Sequence, residues 1–487
     1  MTTRPPRDFC LILRPDNVPG AGFSMHNALI AKYNVPGPRY TSYPTVPFWN
    51  TAAFDHTVWQ DRLTTAFAMD NYADGISLYI HLPYCESLCT FCACHKHITR
   101  NHAVEKPYID ALLAEWALYC DWLPERPRLA ELHFGGGTPS FFSPQELQRL
   151  LTGLFELADP VEASSSGGPD FGWEGHPNNT TAAHLQTLFD GGCRRVSFGV
   201  QDYDPVVQRA IHRVQPFENV RRVTEEARAI GYTSISHDLV FGLPFQRPDS
   251  IRQTVAQTLT LRPDRIAFYS YAHVPWIGNS SGAFGQRGFQ DADLPTGEAK
   301  RELYEIGREL LLAAGYVEIG MDHFALPHDS LHVALQNGTL HRNFMGYTTT
   351  RTDMLIGLGV SAISDIGTAF MQNDKDLRRY QERVLAGQFP INRGHLLTDE
   401  DSQVRQQILD IMCRFGTVWA TNELSVGERT QLLMQLSEFR ADGLIDFDET
   451  HLWVTPEGRP FLRNICMVFD RHLARSQRTE RLFSQTV

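Results

Sequence analysis

ISLYIHLPYCESLCTFCACHKH, residues 76 to 97, joins the β-rich run ISLYIHL to four cysteines: Cys85, Cys89, Cys92 and Cys94. The run is short, apolar and rich in β-formers, as a buried strand should be. The thiols begin within two or three residues of its end. They therefore sit at one pole of whatever sheet this strand enters.

The rest of the chain says what that sheet is. Five more β-rich runs follow: LAELHF at 129–134, FGWEG at 171–175, RRVSFGV at 194–200, SISHDLV at 234–240 and RIAFYSY at 265–271. Helical stripes fill the gaps. The clearest opens with Ser143-Pro144-Gln145-Glu146, a capping box with proline at the first helical position. Leu147, Leu150, Leu151, Leu154 and Phe155 then mark one apolar face. Similar stripes run through 217–230, 250–261 and 297–314, the last stopped by Gly315. Six β-then-α units in order predict an α/β fold with a parallel sheet and helices outside. Six is fewer than the eight of a closed barrel, so an open partial barrel and a doubly wound sheet both fit.

Beyond about residue 390 the pattern changes. Helical stripes dominate 400–440, a hairpin is expected in LIDFDETHLWVTP with its turn at Asp448-Glu449-Thr450, and a last helix is expected over 457–475. NVPGPRYTSYPTVPFW, 34–49, lacks a clear period and reads as an ordered strap over the main domain rather than a core element. ASSSGGPD, 163–170, reads as a loop. The expected division is an extension or strap over 1–70, a catalytic domain over 71–390 and a helix-rich domain over 391–487.

The polar signals collect at strand ends. The cysteines follow the first strand, GGGTP (135–139) the second, and Glu174 ends the third. Gln201 follows the fourth, Asp238 lies near the end of the fifth, and Ala272 closes the sixth. In parallel β/α folds the carboxyl ends of the strands form the active-site rim. Each signal alone has a plain reading. A strand-end Glu or Asp more often caps a helix or pairs with an arginine, and GGGTP alone is a tight turn. Their coincidence on one rim points to function.

The 487 residues are 42% hydrophobic and 21% charged, enough for a sizeable core, with net charge −12. An acidic chain repels phosphate backbones, which argues against nucleic acid as a partner. No run of about 18 apolar residues appears, so no membrane span is expected. The apolar stretch from Phe9 to Leu13 is too short for a signal peptide. A cytoplasmic protein is expected, and a reducing compartment disfavours a disulfide framework. Cys10, Cys120, Cys193, Cys413 and Cys466 stand apart and read as small apolar residues or surface accidents.

Three readings compete for the clustered thiols. A structural zinc site usually takes two separated pairs of ligands, and no second pair follows. Free thiols without a role are a second reading. An iron–sulfur cluster is the third, because thiolates on one loop suit one face of a cubane, and three ligands leave one iron open.

The spacing Cys85-x3-Cys89-x-Phe91-Cys92 resembles the signature of radical S-adenosylmethionine (SAM) enzymes, and GGGTP resembles their glycine-rich SAM motif. PGPRYTSYPT (36–45), CACHK (92–96), GVQDY (199–203), DADLP (291–295), GMDHFA (320–325), HRNF (341–344) and NICM (464–467) narrow the resemblance to the oxygen-independent coproporphyrinogen III oxidases of haem biosynthesis, from about residue 30 onward. The resemblance implies a partial (β/α)6 radical SAM barrel. It implies a [4Fe–4S] cluster on Cys85, Cys89 and Cys92, and two molecules of SAM. The first SAM would contact Tyr79, Gly136, Glu174 and Ile363. The second would contact Phe91, Gly137, Thr138, Gln201, Arg213, Asp238 and Ala272. A 5′-deoxyadenosyl radical would take a β-hydrogen from each of two propionates of coproporphyrinogen III, leaving vinyl groups and giving protoporphyrinogen IX. Cys94 would not be a ligand but would help with substrate or radical control. Phe344 and Met345 would lie at the reaction. Arg39, Tyr40, His323 and His341 are candidates to face substrate carboxylates. The family usually has glutamine where this chain has Met345, and a methionine cannot supply an amide's donor and acceptor.

Also implied are an electron donor such as flavodoxin or ferredoxin, and a monomer. The rivals are a haem-binding chaperone of the same wider family, a radical SAM enzyme with another substrate, and a structural zinc protein. The Cys92-Ala93-Cys94 sequence and the GPRYTSYPT strap favour the oxidase over the chaperone. A winged helix binding DNA is disfavoured by the charge and by the NICM match.

Overall fold

The computed structural model describes residues 23–52, 54–162, 168–275, 286, 288–419, 424–476 and 482–486. Cys10 and residues 163–167 of the expected loop lie outside them.

All six expected strands form. They are β1 (Ile76–Leu82), β2 (Arg128–Gly136), β3 (Asp170–Gly175), β4 (Arg195–Gln201), β5 (Ser234–Phe241) and β6 (Arg265–Ser270). Each is parallel to the next, in sequence order, over an open six-stranded arc. The arc is extended at both edges. Beyond β6, His323–Ala325 and then Val317–Gly320 pair antiparallel. Beside β1, Leu355–Leu358 pairs parallel and leads into an antiparallel run of Ile363–Asp365, Ala369–Asn373 and Ile391–Leu396. The main sheet thus runs past residue 390 to Leu396. These edge strands are too short to show a clear period of two in the sequence.

The alternation along β4 explains the layering. Val196, Phe198 and Val200 are buried, while Arg195, Ser197, Gly199 and Gln201 between them are only partly so. Val196 and Phe198 pack outward with Leu147, Leu150, Leu151 and Leu154 of the helix Pro144–Leu157 in the largest core cluster. The other face looks into the barrel. Low in that interior, Arg195 pairs with Asp170 at 3.1 Å, and Glu131 accepts from Ser77 (2.8 Å) and Thr348 (2.9 Å). The helix at Pro144 starts as expected, with the Ser143 hydroxyl accepting from the Glu146 amide; the Glu146 carboxylate turns to Arg149 instead of closing the box.

Two expectations need correction. The strap is not merely laid over the main domain. Tyr40 and Tyr43 are buried in a second hydrophobic cluster with Ile408, Ile411, Leu436, Ile465 and Phe469 of the C-terminal helices. Arg463 holds it there, donating to the carbonyls of Gly37, Pro38, Gln485 and Thr486. The expected helix 457–475 is broken into a 3-10 turn (Pro456–Phe461), Leu462–Phe469 and Arg471–Arg475. Pro460 cannot donate in a regular helix, and Asp470 stops one helix and caps the next. The expected hairpin forms from Ile445–Phe447 and His451–Val454.

Candidate active site

The four clustered cysteines leave the carboxyl end of β1 on a loop pinned at both ends and in the middle. Tyr84–Cys85 pairs with His97–Ile98, and the His97 amide donates to Pro83 at 2.8 Å. Thr90 fixes the middle to the segment after β4, its amide donating to Ile211 (3.0 Å) and its hydroxyl to Ala210 (3.1 Å). Cys85 is half-buried, with Sγ 3.4 Å from Thr138 Oγ1. Cys89 is buried and accepts from Arg213 Nη1 at 3.6 Å. The Cys94 thiol donates to Cys92, which holds that sulfur's pKa below the ordinary thiol value and raises Cys94's own. Burial pushes Cys85 up to about 11. None of these four forms a disulfide.

Among the described residues no group of three or more His, Cys, Asp or Glu is close enough to hold a single metal ion. Three thiols spaced apart on one loop suit a multi-iron cluster, in which different irons take different thiolates.

The glycine turn after β2 packs directly on this loop. The Gly137 amide donates to Leu82 (2.8 Å) and the Thr138 amide to Tyr84 (3.0 Å). A Cβ on Gly137 would stand 2.5 Å from the Pro83 carbonyl, and one on Gly136, at φ +111°, would meet the His81 ring at 2.6 Å. Only glycine lets backbone approach so closely. A Cβ on Gly135 would meet the Glu174 carboxylate at 2.9 Å. Glu174 is open to water although protein surrounds it, so it faces a cavity. Burial works to raise its pKa, but the His133 ring at 3.3 Å and the Gly136 amide hold it below the ordinary value. A carboxylate kept charged beside a bare backbone suits the ammonium or ribose of SAM.

Tyr79 lies deeper. It stacks on His133 at 6.2 Å, meets Phe344 edge-on at 5.0 Å, and shares a small apolar cluster with Leu355, Ala362, Phe344 and Met345. Burial lowers the His81 pKa to about 4, so the ring is neutral. Its Nε2 donates to the His95 carbonyl (3.0 Å) and Nδ1 accepts from the Tyr79 hydroxyl (3.0 Å). That relay ties Tyr79 to the cysteine loop. Ile363 starts the strand beside Leu355–Leu358, where Gly357 admits its carbonyl: a Cβ there would stand 2.3 Å away.

A second group gathers toward β4 to β6. Arg213 donates to the Gly199 carbonyl, and a Cβ on Gly199 would touch both Gln201 Nε2 (2.6 Å) and Arg213 Nη2 (2.9 Å). Burial raises the Asp238 carboxyl to about 7, against two 2.9 Å contacts from Ser197 Oγ. Phe91 packs at the edge of the cluster containing Val207, Ile211 and Tyr271. Gln286 joins Phe91 to Ala272, donating to both carbonyls at 2.9 and 3.0 Å.

Of the carboxylate-facing candidates, His323 lies at the mouth, bonded to Asp322 (2.8 Å) and 3.4 Å from Tyr269 Oη. Arg39 donates to the Ser270 carbonyl at 2.9 Å and faces Asp322 at 3.6 Å. The Tyr40 hydroxyl is buried and committed to Asp470 at 3.0 Å. His341 instead lines a separate cleft of about 570 Å³ with Arg351, Arg405 and Arg414.

The sequence reading missed His133, Ser197, Gln286 and Glu115. Glu115 is fully buried behind the barrel and accepts from the Gly359 amide (2.8 Å), Tyr380 Oη (2.7 Å) and Asn373 Nδ2 (2.6 Å), fixing the loop that leads to Ile363. A Glu within the apolar stripe of the helix Glu105–Trp122 was the one available signal.

Residues 79–257 match the radical SAM superfamily. Oxygen-independent coproporphyrinogen III oxidase of Pseudomonas aeruginosa is 39% identical over 450 residues, spanning 91% of this chain and 95% of that protein. The protein of the same name from Escherichia coli is 38% identical over 469 residues, with 94% and 98% covered. The solved structure described as coproporphyrinogen III oxidase from Escherichia coli, a radical SAM enzyme, superposes with a TM-score of 0.82 at 36% identity, covering 92% of this chain and 99% of that one.

Proposed function

The chain belongs to the oxygen-independent coproporphyrinogen III oxidases of the radical SAM superfamily, and on that premise we propose that it performs the anaerobic oxidative decarboxylation of two propionates of coproporphyrinogen III to vinyl groups, giving protoporphyrinogen IX. The observation that carries the reading is the cysteine loop on β1 seated against the glycine turn on β2, with Cys85 and Thr138 in contact. When bound, a [4Fe–4S] cluster with SAM supplies the one-electron chemistry that removes a hydrogen atom from a propionate β-carbon.

The protein's part is to hold, orient and exclude water. Cys85, Cys89 and Cys92 would hold the cluster, with Arg213 placing a positive donor on the Cys89 sulfur. Tyr79, Gly136, Glu174 and Ile363 would hold the first SAM. Phe91, Gly137, Thr138, Gln201, Arg213, Asp238 and Ala272 would hold a second. Support for two sites comes from two adjoining sets of groups, Glu174 with His133 and Arg213–Gln201–Asp238 with Gly199 and Ser197, each with its own polar partners. Cys94, open to the cavity near Glu174 and Tyr79, would act on substrate rather than on iron. Phe344 and Met345, on the turn between His341–Asn343 and Gly346–Thr348, would form an apolar wall against Tyr79 that keeps water from the reacting carbon. The reading includes a flavodoxin or ferredoxin as electron donor and a monomer working in the cytoplasm. It divides the chain into an N-terminal strap, the barrel and a helix-rich C-terminal domain. Among the described residues no helix is long and apolar enough to cross a membrane.

The test is anaerobic turnover of the reconstituted protein with SAM, a strong reductant, an electron-accepting cell extract and coproporphyrinogen III. Protoporphyrinogen IX with about two 5′-deoxyadenosines per product is expected, one for each hydrogen removed. SAM cleavage without a tetrapyrrole product would sink the substrate assignment.

A further inference from the structure

Arg342 is a buried guanidinium with two donors left unpartnered among the described residues. It is 7% exposed, and its Nε and Nη1 are sealed from solvent without a hydrogen-bond partner. Among the described residues no carboxylate lies within ion-pair distance of it. Its charge rests over the ring of Tyr347, its cross-strand neighbour, at 4.8 Å. Burying a charged donor without an acceptor is costly, so a residue kept in this state points to an absent anion.

Its place in the fold says where that anion sits. Arg342 is on the hairpin whose turn carries Phe344 and Met345 against Tyr79. His341 and Asn343 point to the other face. Tyr347 also meets His323 at 5.2 Å, and His323 reaches Tyr269 at 3.4 Å. The Arg342 charge reaches Tyr269 and Asp322 on the barrel side and Cys413 and Cys466 of the C-terminal core on the other, so Arg342 sits where the two parts meet. A second arginine there has a donor to spare. Arg39 Nε is also buried and unpartnered, and Asp322 is already shared between Arg39 and His323. Arg463, close by, spends its donors on neutral carbonyls; burial, then Arg39 and Arg342, push its pKa down to about 9.

We infer that Arg342, with Arg39 beside Asp322, forms a carboxylate subsite at the barrel mouth that takes a propionate of the tetrapyrrole substrate. The inference rests on the proposed function. An arginine fork matches a carboxylate in a bidentate pair, and such charge-assisted bonds are the strong ones. Pairing would satisfy the orphaned N–H groups only when substrate is bound. The apolar wall of Phe344 and Met345 is on the same hairpin, so anchoring one side chain of the macrocycle would fix its approach to the reaction.

The test uses the reconstituted holoenzyme and two readouts. Coproporphyrin III, the stable oxidised form with the same four carboxylates, is titrated by fluorescence beside its tetramethyl ester. KM and kcat are measured with coproporphyrinogen III. Arg342→Gln is expected to weaken coproporphyrin binding and raise KM about 10- to 100-fold, the loss of one or two charged hydrogen bonds. The ester should bind wild type and variant alike, with iron content and SAM binding unchanged. Arg342→Lys keeps the charge and should fall between, which keeps the test open if the glutamine variant folds poorly. An unchanged KM in an Arg342→Gln enzyme that still turns over overturns the inference alone. A wild-type protein that neither binds coproporphyrin nor makes protoporphyrinogen overturns the proposed function instead.

Discussion

Glu115 gives the sharpest stability test. Burial raises its pKa from 4.5 to about 7, and three hydrogen bonds offset only part of that. A carboxyl whose folded pKa lies above its unfolded value favours the folded state when protonated. Stability from it is full below about pH 4.5 and is lost as pH rises through 7. The whole cost of charging it is about 2.5 pKa units, or roughly 3.4 kcal/mol. About 2 kcal/mol of that falls between pH 5.5 and 8.5, by the same linkage. Glu115→Gln keeps an acceptor for Gly359 and Tyr380 but cannot ionise, so the loss disappears. At roughly 1–2 °C per kcal/mol, extrapolated to a chain of this length, the variant should gain about 2–4 °C in Tm on the wild type as pH goes from 5.5 to 8.5. Anaerobic thermal unfolding followed by circular dichroism, both proteins in the same buffers, reads this as a difference of slopes. Other titrating groups, Asp202 and Asp238 among them, cancel in that difference. A Tm difference that stays constant with pH would refute the argument, because Glu115 would then not titrate in that window.

Cys89→Ser should abolish iron binding after reconstitution, whereas Cys94→Ser should leave iron content and the visible spectrum intact; loss of the cluster in the second would make Cys94 a ligand. Met345→Gln restores the amide usual in the family and should preserve or raise kcat, since Met345 packs only at the edge of the Tyr79 cluster; a large drop would mean that methionine serves another substrate. Gly137→Ala puts a methyl group 2.5 Å from the Pro83 carbonyl. Because backbone cannot yield as a side chain does, the cysteine loop should shift and iron loading fall several-fold, and normal loading would show that the turn is softer than its packing implies.

The barrel was legible because its strands and helices repeat a strong local pattern. ISLYIHL is buried along its whole length, and the rim residues at the strand ends needed only the parallel register to converge. The strap was harder. Tyr40 and Tyr43 lie in an aperiodic stretch, and what buries them is far away in sequence, at Ile465 and Asp470. No local pattern encodes that pairing. The same holds for Gln286, whose worth lies in joining Phe91 to Ala272, and for Glu115, whose partners at Gly359, Asn373 and Tyr380 come from the opposite half of the chain. His341 shows the converse limit. It shares a motif with Arg342, but alternation along a strand sends neighbours to opposite faces, and only the fold says which face is the mouth.

Arg463 grips carbonyls at Gly37 and Pro38, and at Gln485 and Thr486. During synthesis those partners emerge at opposite times. The strap is made early, but its clasp is complete only when the last of these four carbonyls has left the ribosome. Until then Arg39, next to Pro38, has no fixed position over Ser270, and the mouth of the barrel lacks one of its walls. The order of translation therefore leaves the end of a nascent barrel that carries the cysteine loop uncovered while the C-terminal helices are still being made, and closes it once Thr486 is in place.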